Sequence, residues 1–278
     1  MNILEYPNPD HEAYAMKPTA LVLRTAGTNC DIETEFALHR AGAETSRLHV
    51  NELRKDPAKL LDFSILVIPG GFSYGDHLGA GQVLANELMT QLRHPLEEFV
   101  ERGRPVLGIC NGFQVLVKTG LLPGLNRWQQ EATLTLNDSH RFEDRWTYLQ
   151  APQNRSMLVE DGEFIYLPVA HAEGKFVLHD EDMLGEMKQN GQVVFRYTDE
   201  NGERAGYPAN PNGSINNIAA VCDPTGQITG MMPHPERHVL PVQHPRWTRE
   251  GLTEEGDGLR IFRRAVRFAE EQSTPVAG

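Results

Sequence analysis

The stretch Pro105-Val106-Leu107-Gly108-Ile109-Cys110-Asn111-Gly112-Phe113-Gln114 decides the fold. Residues 105–109 form a short apolar run, the mark of a buried strand. Residues 111–118 carry apolar side chains at helical spacing, and Gly120 closes that helix. Gly108 and Gly112 stand two residues either side of Cys110. A strand that passes into a helix at one residue bends sharply, and small neighbours make room for the bend. The spacing therefore predicts a nucleophile elbow with cysteine in place of serine. It also sets the sulfur at a helix N-terminus, where the dipole and unpaired N–H groups favour negative charge. A solitary cysteine is more often an inert core residue. The two glycines and the strand–turn–helix context make Cys110 a candidate nucleophile.

A cysteine nucleophile needs a base, which can lie far away in sequence. His234, in Met231-Met232-Pro233-His234-Pro235-Glu236-Arg237, is the best candidate. The prolines on either side exclude a helix there. In an extended segment residues two apart share a side, so Glu236 can hold one imidazole nitrogen while the other faces the sulfur. On its own Pro-His-Pro also reads as a surface turn. A third motif, Leu66-Val67-Ile68-Pro69-Gly70-Gly71-Phe72-Ser73-Tyr74-Gly75-Asp76, runs an apolar strand into paired glycines. Such glycines let backbone N–H groups converge on an oxyanion. A phosphate-cradling loop is the weaker alternative, because neither G-x-x-x-x-G-K-[ST] nor G-x-G-x-x-G is present. A plain tight turn is the blandest one.

These three motifs, in this order, resemble the class I (triad) glutamine amidotransferases, and within them the glutaminase-subunit family of phosphoribosylformylglycinamidine synthases, of purine biosynthesis. Gly27-Thr28-Asn29-Cys30-Asp31 is similar to that family's first strand-to-helix turn, and Gly70-Gly71-Phe72-Ser73-Tyr74-Gly75-Asp76 to its oxyanion loop. His171-Ala172-Glu173-Gly174-Lys175, Asn210-Pro211-Asn212-Gly213-Ser214 and Pro233-His234-Pro235-Glu236-Arg237 complete the series. The likeness runs over roughly residues 19–238 and the terminal helix. Ala172 stands where that family usually has glycine, and Gly79 where a basic residue is common.

The resemblance implies a Cys110-His234-Glu236 triad that hydrolyses glutamine through a glutamyl thioester. It implies an oxyanion hole from the Gly71 and Asn111 N–H groups, and glutamine contacts from Gly70, Phe72 and Gln114. It implies no cofactor or metal in this chain. ATP and magnesium belong to a separate synthetase large subunit, which receives the ammonia, and a small accessory subunit completes the complex. Competing readings are a glutaminase subunit of another synthetase, a stand-alone cysteine hydrolase or peptidase on the same scaffold, and a scaffold subunit without catalysis. The Gly-Phe-Ser-Tyr-Gly-Asp loop and the intact triad argue against them.

The 278 residues are 40% hydrophobic, ample for a core, and the net charge of −12 argues against a nucleic-acid or anionic-membrane surface. Three separated cysteines show neither zinc-ligand spacing nor a disulfide framework. They fit a reducing, cytoplasmic compartment. No apolar run reaches membrane-spanning length, and the N-terminus lacks a secretory pattern.

Along the chain, strands at 20–24, 45–50, 63–69 and 106–109 alternate with helices at 31–41, 81–92, 96–101 and 111–118. That alternation predicts an α/β, flavodoxin-like, three-layer open sheet, mostly parallel. Short strands at 132–136, 164–169, 193–197, 218–222 and 228–231 predict mixed or antiparallel additions. Residues 257–271 predict a closing amphipathic helix. Residues 1–18 read as an extension, 19–272 as one glutaminase domain with an extra segment at 239–258, and 273–278 as a tail. Three readings are local. Residues 171–175 are a loop, either solvated or near the site and partner surface. Residues 210–214 are a turn. Thr28, Asn29 and Asp31 are helix caps, and Cys30, with no histidine nearby in sequence, is structural.

Overall fold

The computed structural model describes residues 17–204 and 206–273. Most of the extension at 1–18 and of the tail at 273–278 lies outside the described residues. In chain order the elements are β1 (Thr19–Arg24), α1 (Asp31–Ala41), β2 (Glu44–His49), α2 (Val50–Lys55), β3 (Ile65–Ile68), α3 (Gln82–Gln91) and α4 (Arg93–Glu101). Next come β4 (Val106–Ile109), α5 (Asn111–Lys118), β5 (Ala132–Leu136), β6 (Glu143–Gln150), β7 (Phe164–His171), β8 (Glu173–Leu178) and α6 (Asp182–Gln189). The chain closes with β9 (Val193–Thr198), β10 (Ile218–Cys222), β11 (Ile228–Met231), α7 (Trp247–Glu250) and α8 (Leu259–Ser273).

Nine strands form one sheet in the order β2-β1-β3-β4-β11-β10-β9-β6-β7, and β5 pairs with β8 in a separate ribbon. From β2 to β11 every pairing is parallel, and from β11 to β7 every pairing is antiparallel. The α/β fold with a mostly parallel core and antiparallel additions is therefore as the sequence predicts. β3, β4 and β11 are buried at every position, which is why they read as unbroken apolar runs rather than alternating ones. α1 packs on α8, while α3 packs on α4 and α5. From α8, Leu259, Phe262, Ala265, Val266 and Ala269 are all buried, so the predicted apolar face is core.

The order β2-β1-β3-β4 reverses direction between β1 and β3. In open α/β sheets a crevice forms beyond the strand carboxyl ends at such a reversal. The turns after β1, β3, β4 and β11 all end there.

The elbow glycines have a steric reason. A Cβ on Gly112 would lie 1.8 Å from the Ile68 carbonyl oxygen, and one on Gly108 would lie 2.7 Å from the Gly112 oxygen. The start of α5 thus rests directly on β3 and β4.

Several features depart from the sequence reading or add to it, among them α6, which it does not place. Val50 opens α2 instead of ending a strand. β6 was not predicted, because Glu143-Asp144-Arg145-Trp146-Thr147-Tyr148 hides a half-exposed strand behind charges. Residues 173–178 are strand β8, not a solvated loop, and His171 is buried at the end of β7. The turn at 210–214 is an interior one: Asn212 is fully buried and donates to the Gly174 oxygen at 2.7 Å, and Phe176 N donates to Ser214 Oγ at 2.9 Å.

The extra segment 239–258 is bound to the far end of the sheet. Arg246 donates to the Tyr148 and Tyr166 hydroxyls at 2.8 and 3.3 Å, and Asp257 accepts from Tyr166 N at 3.0 Å. The tight α5–β3 contact carries a prediction. Gly112→Ala is expected to destabilise the fold by about 3 kcal/mol or more, read by chemical denaturation. A loss within about 0.5 kcal/mol would show that the contact is not a constraint.

Candidate active site

Cys110 joins β4 to α5. Its N–H donates to the Met231 oxygen at 2.7 Å, extending the ladder with β11, and its carbonyl accepts from Gln114 N at 3.1 Å, opening the helix. Serving both elements forces φ to +51°, a conformation costly for a residue with a Cβ. The thiol points out of the turn, 3.8 Å from the Ala170 oxygen on β7.

His234 follows β11. Its N–H donates to the Pro168 oxygen at 2.8 Å, which ties the segment to β7. Its Nδ1 lies 2.6 Å from Glu236 Oε1, with both side chains buried. At that distance Nδ1 donates to the Glu236 carboxylate, and Nε2 is left for the sulfur. Nε2 has no hydrogen-bond partner among the described residues. Burial works against an imidazolium, but the Glu236 carboxylate and the Cys110 sulfur outweigh it. His234 is held well above the usual histidine range.

The Gly70–Gly71 loop closes over this pair. A Cβ on Gly70 would meet His234 Cε1 at 2.8 Å, Cys30 Sγ at 3.1 Å and Cys110 Cβ at 3.4 Å, so any side chain there would displace the base. The loop is pinned on two sides. Phe72 N donates to the Gly27 oxygen at 2.9 Å and Tyr74 N to the Ala26 oxygen at 2.7 Å. From the other side Asn111 Oδ1 accepts from Ser73 N at 3.2 Å, and Asn111 Nδ2 donates to Asp76 at 3.3 Å. The first amides of a helix have no intrahelical acceptor, so the Asn111 N–H is available beside the sulfur.

A cavity of about 230 Å³ opens on the sulfur, and Gly71, Phe72, Cys110, Asp144, His234 and Arg237 are among its lining. Larger hollows of about 490 and 530 Å³ lie elsewhere and contain no cysteine.

Cys110, His234, Glu236, Gly70, Gly71, Asn111 and Phe72 thus converge. Gln114 is different. Its Nε2 donates to the Glu173 oxygen at 2.6 Å and its Oε1 accepts from Asn111 Nδ2 at 2.9 Å, so its amide braces the fold and does not line the cavity.

The reading of Cys30 is corrected. Its sulfur lines the cavity, 3.9 Å from His234 Nδ1, and accepts from Arg237 Nη2 at 3.2 Å. Burial pushes this thiol up, and the His234 contact only partly offsets that. The histidine is near in space and remote in sequence, which is why the pairing was not visible. The capping reading of Asp31 also changes, since its carboxylate pairs with Arg24 and Arg47.

The ligand atoms of Cys30, His234 and Glu236 lie within 4.8 Å of one another. A guanidinium on the Cys30 sulfur repels a cation, and the Nδ1–carboxylate bond occupies the other two groups, so the cluster is built as a proton-holding network. His171 was read only as part of a loop motif. It is buried with Nδ1 3.1 Å from Asn137 Oδ1. Burial, with the positive charge of His234 adding, pushes it down to about 3, so it is neutral.

Comparison with known proteins agrees with this geometry. The family model described as the CobB/CobQ-like glutamine amidotransferase domain matches residues 17–269. A protein of Dehalococcoides mccartyi, phosphoribosylformylglycinamidine synthase subunit PurQ, is 51% identical over 92% of this chain and 99% of its own length. The protein of the same name from Archaeoglobus fulgidus is 42% identical over 90% of this chain and 96% of its own. A chain in the structure of PurLQS from Thermotoga maritima superposes with a TM-score of 0.70 at 32% identity, covering 91% of this chain and 99% of that one. The chain belongs to the CobB/CobQ-like family of glutamine amidotransferases.

Proposed function

We propose that this chain is the glutaminase subunit of a phosphoribosylformylglycinamidine synthase. The carrying observation is the buried 2.6 Å bond from His234 Nδ1 to Glu236, which leaves Nε2 to serve Cys110. His234 Nε2 takes the thiol proton, and the sulfur attacks the side-chain amide carbon of glutamine. The oxyanion forms between the Gly71 and Asn111 N–H groups. Protonated His234 gives its proton to the leaving nitrogen, the C–N bond breaks and ammonia departs. Water, deprotonated by the same imidazole, then cleaves the glutamyl thioester to release glutamate. Glu236 holds the ring and stabilises its charged form throughout.

The names of the relatives and of the PurLQS neighbour support the destination of the ammonia. A synthetase large subunit would use it, with ATP and magnesium, to convert formylglycinamide ribonucleotide to formylglycinamidine ribonucleotide. A small accessory subunit would complete the assembly. Gly70 and Phe72 supply glutamine contacts in this reading. A cytoplasmic setting suits a free nucleophilic thiol. Among the described residues no helix is long and apolar enough to cross a membrane.

Glutamate release from glutamine, measured with the chain alone and with its candidate synthetase, tests the proposal. Turnover is expected to rise with the synthetase, and Cys110→Ala is expected to lower it by about 10³-fold or more. Full activity in Cys110→Ala would contradict the mechanism. Glu236→Gln is expected to lower kcat by about 10²–10⁴-fold while the fold survives. Because the carboxylate is what lifts His234 against burial, the same substitution should move the imidazole titration to lower pH, read by NMR. A midpoint that stays or rises would show that Glu236 does not set the charge of the base.

A further inference from the structure

β6 is paired along its whole length on one side and only in part on the other. All eight of its residues, Glu143–Gln150, lie in register with β7. Against β9 only Tyr148, Leu149 and Gln150 pair, with Thr198, Tyr197 and Arg196. Beyond Thr198 the chain folds back on itself. Gly202 N donates to the Asp199 oxygen at 3.1 Å, and Asp199 N to the Glu203 oxygen at 2.9 Å. Residues 143–147 thus keep an edge that β9 does not cover.

The backbone groups on that edge can be assigned from their alternation. In an antiparallel ladder the N–H and C=O of one residue point to the same neighbour, and those of the next residue to the opposite one. Tyr166 N, opposite Tyr148, donates outward to Asp257 Oδ2 at 3.0 Å. The oxygens of Pro168 and Ala170, opposite Trp146 and Asp144, also face away from β6. The first accepts from His234 N at 2.8 Å and the second lies 3.8 Å from the Cys110 sulfur. Asp144, Trp146 and Tyr148 therefore turn their own groups away from β7. For Tyr148 they meet β9. For Trp146 and Asp144 no strand is there, and among the described residues their backbone groups have no partner.

A cavity of about 490 Å³ lies against this edge, with residues 145–148 as one wall and 198–201 and 206–209 as the other. The Arg145 charge is already taken, by Glu143 and by Tyr207, whose hydroxyl accepts from it at 2.9 Å. The other charged groups of that lining, Asp199 and Glu200, are acidic. Asp144 carries the edge on to the cavity of the nucleophile, which it also lines.

Unpaired donors and acceptors repeating along a strand are complementary to another backbone. We propose that this edge takes an extended, basic segment of the ammonia-accepting synthetase chain, added as a strand beside β6 with its cationic side chains over Asp199 and Glu200. The identity of the partner rests on the glutaminase reading. The edge adds where that partner holds on, and the docked segment passes the rim of the cavity from which ammonia leaves.

The test is hydrogen exchange of the full-length chain, alone and with its candidate synthetase, resolved to single amides by mass spectrometry. Alone, the Asp144 and Trp146 amides are expected to exchange at least about tenfold faster than those of Arg145 and Thr147, which face β7. With the synthetase they are expected to slow by about tenfold or more. Replacing the Trp146 amide by an ester deletes one N–H and keeps every side chain. It is expected to weaken synthetase binding by about three- to tenfold and to leave glutamate release by the chain alone within about twofold. Glu200→Lys is expected to weaken binding as well, by an amount that salt reduces.

Unchanged exchange at Asp144 and Trp146 in the complex would overturn the proposal, as would full-strength binding by the ester. Protection that grows as the chain alone is concentrated would assign the edge to a second copy and overturn it too. Synthetase-stimulated glutamine turnover beside an unprotected edge would leave the glutaminase reading standing without this docking site. Protection by the synthetase in a chain that never hydrolyses glutamine would do the reverse.

Discussion

The site depends on one backbone constraint, the passage from β4 into α5 through Cys110. The residue must end a buried parallel strand and begin a helix in the same peptide, and it can do so only at positive φ. The strain is held by the hydrogen bond to Met231 on one side and the first helical bond to Gln114 on the other. Close seating of α5 on β3 and β4 locks it, and that seating requires glycine at 108 and 112. The reward is directional: the thiol leaves the turn at a helix N-terminus and faces the mouth of the sheet. Everything else in the site is arranged around that sulfur.

Four parallel strands contribute one turn each. The turn after β1 brings Cys30, that after β3 the Gly70–Gly71 loop, that after β4 the nucleophile and that after β11 the base with its carboxylate. The antiparallel half of the sheet adds the remaining wall through Ala170 and Asp144. Two parts of the chain far apart in sequence therefore meet without distortion, because the sheet order places β4 between β3 and β11. Asn111 couples the parts further. Its backbone N–H opens α5 beside the sulfur while its side chain ties the glycine loop down through Ser73 and Asp76.

The parallel half of the fold was legible because buried strands are apolar runs and their helices end at glycines. β4, α5, β10 and β11 fall where the sequence places them. The triad was legible through local grammar: glycines around a cysteine, prolines around a histidine, and a carboxylate two residues on. What stayed hidden depends on tertiary pairing. β6 carries charges at half-exposed positions, and β8 shares its start with a polar motif, so neither shows strand alternation. Cys30 and Arg237 acquire their neighbours only when the β1 and β11 turns meet. Gln114 reads in the sequence as a substrate contact, and its amide bonds Asn111 and the Glu173 carbonyl, partners that only the fold brings to it.

Two thiols, Cys110 and Cys30, share one cavity and one histidine, and the account holds that only the first is nucleophilic. The geometry separates them. Cys30 contacts the nitrogen that Glu236 already holds and donates to Asn29 at 3.1 Å, whereas Cys110 interacts with the same ring, whose Nε2 no other described residue holds. Labelling the complex with a diazoketone analogue of glutamine, followed by peptide mass mapping, tests this most directly. The account predicts a stoichiometric adduct on Cys110, none on Cys30, and loss of labelling in Cys110→Ala. An adduct on Cys30 in the native protein, or glutamine turnover that survives complete labelling of Cys110, would contradict it.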